Sequence, residues 1–227
     1  MPDAAAPVHL RPTTALADRV LLPGDPGRAL ALAQVVLGDD RRMFNHHRGL
    51  WGYTGTAADG APLTIQSTGM GGPSAAIVLE ELAALGVTLA VRVGTALALD
   101  GSLALGDLVA ATEVAGADGT SRALGAPERR PLDAALAGAL ADAGARGGLV
   151  VSHDLFYGPA AAAPEGALAR DLETAALAAV AARHGLRFGS VLAIVADAHG
   201  ARLDDEAVGH AGEAVGRAGA GALVACG

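Results

Sequence analysis

The chain has 227 residues, 52% of them hydrophobic but only 3% aromatic, and it contains 32 glycines. That length suits one α/β domain, residues 1–227, whose core is Ala, Leu and Val packed helix against sheet. A net charge of −8 excludes nucleic acid or an anionic membrane as the main partner. Any anionic ligand must then be held by a local cluster of arginines, which screening makes feasible.

Residues 1–14 read as irregular, with His9 as the one chemically useful side chain, although a lone terminal His is usually solvated. Residues 19–22 form the first predicted strand, and Pro23-Gly24-Asp25-Pro26-Gly27-Arg28 turns it into a helix ending near Val36. Proline fits the first turn of a helix, and the free N–H groups there attract anions. Arg28 in that turn opposes the helix dipole, a conflict that a negative ligand removes. Residues 41–56 read as two strands joined near His47-Arg48-Gly49, where Arg48 taken alone is a solvated turn residue. His46 and His47 point to opposite faces of a strand, so no metal site is expected.

The organising stretch is 66–95. A strand end (Leu63, Ile65, Ser67) runs into Gly69-Met70-Gly71-Gly72, and Pro73-Ser74 opens a helix with Ile77, Leu79, Leu82 and Leu85 as its apolar positions. Gly86 stops it, and a strand over 87–93 delivers Arg92-Val93-Gly94-Thr95 to its carboxyl end. Such βαβ units bind ligands beyond the strand C-termini. A cation, bare backbone and a hydroxyl gathered there point to an anion.

Further strands are expected at 105–112 and 149–152, a loop at 116–128 and an amphipathic helix at 131–144. In the loop 153–159, Phe156 and Tyr157 serve either packing or a planar ligand. An Ala-rich helix is expected from about 165 to 183, with Asp171 and Glu173 near its start, where carboxylates suit the dipole. Glu173, among Leu172, Ala175, Ala176 and Leu177, is expected to turn inward. The last strand, 190–196, closes with Asp197-Ala198-His199-Gly200. A terminal helix over 203–224 is weakened by Gly209, Gly212, Gly216 and Gly219. Cys226 is the single cysteine, so neither a disulfide framework nor a thiolate metal site is expected. No signal peptide or membrane-length apolar run is visible, and the expected location is the cytoplasm.

Taken together, GDPGR, HHRG, STGMGGPS, RVGT, HDLFYGP, DLE and GLRFGSVLAIVAD resemble the bacterial nucleoside phosphorylase family of hexameric purine nucleoside phosphorylase and uridine phosphorylase. The likeness runs from about His9 to the terminal helix. It implies a three-layer αβα domain with a central mixed sheet. It also implies reversible phosphorolysis of a ribonucleoside to free base and ribose 1-phosphate, without metal or organic cofactor and with inorganic phosphate as co-substrate.

The resemblance puts phosphate against Gly24, Arg28, Arg92 and Thr95, with Arg48 arriving from a neighbouring subunit. His9, also from the neighbour, touches the ribose; Glu173 holds its hydroxyls, and Leu172 stands where the family has a Met. Phe156, Asp171 and Asp197 fall on the base side, with Asp197 near the acid that protonates a leaving purine. The catalytic set is therefore Arg92, Glu173 and Asp197. Ala160 and Ala162 replace the pair that reads uracil in uridine phosphorylases, which favours a purine. The alternatives are a pyrimidine or broad-specificity phosphorylase, or a family member that binds nucleoside or phosphate with little turnover. Leu97, beside Thr95, keeps the last of these open, because it crowds the base. Borrowed residues imply a homo-oligomer built from dimers, commonly a hexamer.

Overall fold

The computed structural model describes residues 7–157 and 163–227. Its first half runs β1 (Arg19–Leu22), α1 (Pro26–Val36), β2 (Arg42–Asn45), β3 (Gly52–Thr56), β4 (Pro62–Gln66), α2 (Gly72–Ala84) and β5 (Leu89–Ala98). There follow β6 (Leu108–Gly116), α3 (Gly119–Ala123), β7 (Arg129–Pro131), α4 (Ala134–Asp142) and β8 (Arg146–Ser152). The chain ends with β9 (Ala167–Asp171), α5 (Thr174–His184), β10 (Arg187–Ala196) and α6 (Asp205–Cys226).

All four residues of β1 are buried, the pattern of a central parallel strand covered on both faces. Its neighbours are β4 and β5, both parallel to it. The β4–α2–β5 unit therefore steps over β1 instead of joining adjacent strands. Along β1 the side chains alternate between two cores, as a strand requires. Leu21 packs with Leu32 of α1, Leu136 of α4 and Val215 of α6. Val20 and Leu22 pack with Leu79 of α2 and Leu177 of α5. Helices thus cover both faces of a mixed sheet, the expected three layers.

One feature has no counterpart in the sequence reading. β5 pairs with β10 along its length and, at its far end, with β9. β9 pairs with β8, β8 with β6, and β6 with β10, so five strands close into a ring. Ala96, Val109, Val150, Leu168, Leu192 and Ile194 pack together as its filling. The ring also corrects the helix expected from 165: residues 167–171 form β9, and the helix begins at Thr174. Pairing on both sides overrides the helix preference of its alanines.

Two smaller corrections concern helices. Ile77 is 40% exposed, and the inward positions of α2 are Ala75, Ala76, Val78, Leu79 and Leu82. The segment 116–128 is not all loop, since α3 lies within it, capped by Asp118. Two of the α6 glycines have a packing reason. A Cβ added to Gly216 would run into Leu32, and one on Gly219 would lie 2.5 Å from Val93 Cγ1. Among the described residues, no helix is long and apolar enough to cross a membrane.

Candidate functional site

Two glycine turns are stitched together at the carboxyl ends of β1 and β4. The Thr68 N–H donates to the Pro23 carbonyl at 2.9 Å, and the Gly69 N–H to the Gly24 carbonyl at 3.0 Å. Gly69 and Gly71 adopt φ of 74° and 82°, a backbone region that glycine enters without steric cost. Asp25 caps α1, its Oδ1 accepting from the Arg28 N–H at 2.7 Å, with Pro26 in the first turn. This geometry delivers Gly24 and Arg28 to the wall of a cavity of about 440 Å³.

Arg92 reaches the same cavity from the middle of β5, not from its end, because the strand continues to Ala98. Its guanidinium is buried. Nε donates to Asp171 Oδ2 at 2.9 Å, and Nη2 pairs with Glu173 Oε2. Gly94 leaves the space for this fold-back, since a Cβ there would lie 2.8 Å from Nη2. Glu173 Oε1 accepts from the Gly71 N–H at 2.7 Å, tying the glycine turn to the start of α5. Glu173 does turn inward, at 6% exposure. Burial alone lowers the Arg92 pKa, but the charges of Glu173 and Asp171 outweigh it and hold the group above its ordinary value. At Arg28, burial pulls the pKa down; Asp25 opposes this, and the charge of Arg92 adds to it.

The third nitrogen of Arg92, Nη1, is buried with no hydrogen-bond partner among the described residues. An unpaired buried donor on a charged group is costly. An acceptor at Nη1 completes the set, and Arg28, which also lines the cavity, is near enough to feel the charge of Arg92.

The cavity gathers most of the residues singled out from the sequence: Gly24, Arg28, Arg92, Thr95, Phe156, Asp171, Leu172 and Glu173 all line it, as does Leu97. Within it, Asp171 departs from the base-side position expected for it. Its carboxylate accepts from Arg92 Nε, Ser152 Oγ (2.6 Å) and Thr174 Oγ1 (2.6 Å), so it supports Arg92. Asp197 is not brought to the lining; its Oδ1 accepts from the N–H groups of His199 and Ala201, both at 2.9 Å, closing its own turn.

His9 and Arg48 also lie outside the cavity, but close to each other in the fold. His9 Nδ1 bonds Glu81 Oε1 of α2 at 2.7 Å, and its carbonyl bonds His47 Nδ1 at 3.0 Å. Arg48, next in the chain to His47, is exposed, with φ of 59°. It is the non-glycine residue with positive φ among those described, a conformation that costs about 1–2 kcal/mol. Ala160 and Ala162 lie outside the described residues.

Sequence reasoning missed His153, Arg170 and Arg202, which all line the cavity. Arg170 directly precedes the DLE motif and is in register with Leu97. Arg202 follows the Asp197 turn, bridged to Ala196, and its Cζ lies 5.6 Å from the centroid of the Phe156 ring. The available signal was an arginine directly before one quoted segment and another two residues after a second. Burial, with the charge of Arg170 second, lowers the pKa of His153.

A family model described as the phosphorylase superfamily matches residues 18–226. Over 203 residues the chain is 36% identical to a guanosine phosphorylase from Halorubrum lacusprofundi, an alignment covering 82% of this chain and 83% of that protein. A DeoD-type purine nucleoside phosphorylase from Geobacillus kaustophilus is 34% identical over 201 residues, covering 82% and 84%. The crystal structure of a uridine phosphorylase from Vibrio fischeri superposes with a TM-score of 0.81 at 26% identity, covering 92% of each chain.

Proposed function

Given that this chain belongs to the phosphorylase superfamily and is a nucleoside phosphorylase, we propose that its substrate is a purine ribonucleoside, cleaved by inorganic phosphate to free base and ribose 1-phosphate. The observation that carries the phosphate half is Arg92 Nη1, buried with no partner among the described residues, on a guanidinium whose charge Arg28 feels. In this reading phosphate sits between Arg92, Arg28, Thr95 and the first turn of α1, where the helix dipole favours a negative charge. One phosphate oxygen forms the new bond to the anomeric carbon. The glycosidic C–N bond breaks, and the base leaves with the electron pair and takes up, through solvent, the proton that hydrogen phosphate gives up.

Glu173 grips the ribose hydroxyls. Each of its oxygens accepts one hydrogen bond from the protein and keeps a second lone pair for the sugar. Its charge also steadies the oxocarbenium-like sugar as the bond breaks. Asp171, behind Arg92, fixes the fork that aims the nucleophile. No metal or organic cofactor is needed for these steps, since phosphate is the nucleophile and arginines carry the counter-charge. Two considerations favour a purine: two sequence relatives aligned over four fifths of the chain are named guanosine and purine nucleoside phosphorylase, and Ala160 and Ala162 stand at the positions that the resemblance assigns to uracil recognition.

The site is completed by a second copy. In this reading Arg48 and His9, which lie near each other and outside the lining of their own cavity, serve the cavity of a neighbour. The strained backbone at Arg48 is the kind of cost tolerated where an arginine must be aimed. We place the enzyme in the cytoplasm as a homo-oligomer built from such pairs.

The test is a panel of purine and pyrimidine nucleosides, incubated with and without phosphate, with base release followed. Purine release only with phosphate is expected. Release without phosphate would mean that water is the nucleophile and would overturn the assignment of the anion cradle. Release of uracil alone would overturn the purine reading.

A further inference from the structure

We propose that Arg202 reads the far edge of the base and sets a preference for 6-oxopurines, hypoxanthine and guanine, over adenine. This rests on the purine reading above and adds to it which purine.

The cavity lining holds two groups of cations. Arg28 and Arg92 stand near each other and make the anion cradle, while Arg202 stands over Phe156, in the segments that follow β10 and β8, and Arg170 of β9 lies near His153. The backbone at Arg202 is fixed. Arg202 bridges to Ala196, the Leu203 N–H donates to the Val195 carbonyl at 3.0 Å, and the Asp197 N–H donates to the Ala201 carbonyl at 2.9 Å. Its guanidinium stands over the Phe156 ring, 5.6 Å from the centroid, a distance at which the ring face attracts a cation. None of the ion pairs among the described residues engages it.

Among the described lining residues outside the cradle, Arg170 and Arg202 only donate, and His153 offers one donor and one acceptor. The lining contains no Asn or Gln. Asp25 Oδ1 is held by the Arg28 N–H, and the oxygens of Asp171 and Glu173 face Arg92, Ser152, Thr174 and Gly71. A guanidinium donates and never accepts. Its fork matches the O6 and N7 acceptors of guanine or hypoxanthine, whereas adenine presents an N6 amino group that an amide side chain reads. Against Arg202 that amino group sets donor against donor. The same contact strengthens during the reaction, because the departing purine carries the electron pair and O6 and N7 share its charge. A donor that gains strength as charge develops raises turnover and not only binding.

The test compares the wild-type chain with Arg202→Gln and Arg202→Lys on inosine, guanosine and adenosine, reading kcat/KM at saturating phosphate and the KM for phosphate separately. The wild type is expected to favour inosine and guanosine over adenosine by about tenfold or more. Arg202→Gln is expected to lower inosine and guanosine turnover by roughly 10- to 100-fold and to shift the preference towards adenosine. Arg202→Lys keeps part of the oxopurine preference, and the KM for phosphate stays unchanged in both variants. Equal use of adenosine and inosine by the wild type overturns the proposal. So does an equal loss on all three substrates in Arg202→Gln, or a raised KM for phosphate, which would move Arg202 into the anion cradle. The purine reading survives each of those results. Cleavage of uridine with none of the three purines overturns both. Arg202 is exposed, so the fold is not at stake in either variant.

Discussion

Replacing Arg92 perturbs two functions at once, and the choice of replacement separates them. Alanine removes the cation shared by Asp171 and Glu173, whose side chains are 0% and 8% exposed. Deleting one partner of a buried pair costs about 3–5 kcal/mol, and here two carboxylates are stranded together. Against a typical domain stability of about 5–15 kcal/mol, Arg92→Ala is expected to unfold too readily to report on phosphate. Lysine keeps the charge but carries it on a compact head, which cannot fork to both acids and still donate where Nη1 points. Arg92→Lys is therefore expected to lose about 1–2 kcal/mol of stability, the order of one or two imperfect hydrogen bonds. The lost charge-assisted bond to phosphate adds about 1.5–3 kcal/mol to the binding free energy, a rise of roughly 10- to 150-fold in the KM for phosphate. Urea unfolding gives the first quantity, and steady-state kinetics with phosphate varied at saturating nucleoside gives the second. A stability loss of the expected size with an unchanged KM for phosphate would make Arg92 a structural ion pair and refute the reading of Nη1.

Arg48→Gly relieves the left-handed backbone, so the folded chain is expected to be as stable as the wild type or slightly more so, while the KM for phosphate rises; thermal melting beside kinetics checks both halves. His153 is held below the 6.5 at which it titrates when unfolded. The folded chain thus binds fewer protons than the unfolded chain just below pH 6.5, and this part of the stability, complete above 6.5, is lost as the pH falls towards the lower folded value. His153→Gln is expected to flatten that segment of the curve of melting temperature against pH, and a curve of unchanged slope would contradict the shift. In α6, Gly209→Ala meets nothing within 4 Å and is expected to gain about 0.5–1 kcal/mol in denaturant unfolding. Gly216→Ala, driven into Leu32, is expected to lose about 1–3 kcal/mol, and similar effects at both sites would show that α6 is not packed as described.

What could be read from the sequence was local. Pro23 to Arg28 and Gly69 to Ser74 are punctuated by glycine and proline, whose backbone demands belong to the residues themselves, and both turns lie where they were expected. The inward turn of Glu173 was legible for a similar reason, because its helical neighbours are apolar. The pairings were not legible. Asp171 and Glu173 meet Arg92 across 79 and 81 residues, and no spacing rule reports a contact of that separation. β9 was hidden because Ala167, Leu168 and Ala169 favour a helix until β5 and β8 take up their backbone groups. The expectations for Asp171 and Asp197 followed their places in the motifs. Side-chain aim depends on which donors stand nearby, here Ser152 and Thr174 for one and His199 and Ala201 for the other.

The closed ring of strands divides the labour of the pocket. β5, β9 and β10 have their backbone groups engaged by neighbours at this end of the sheet, so the hold on the nucleophile and the sugar is built into the framework. Phe156 and Arg202 lie outside the ring, in the segments that follow β8 and β10, and no strand of the ring depends on either side chain. Descendants of this chain can therefore exchange one nucleobase for another through substitutions in those two segments, while the chemistry at the anomeric carbon is inherited intact.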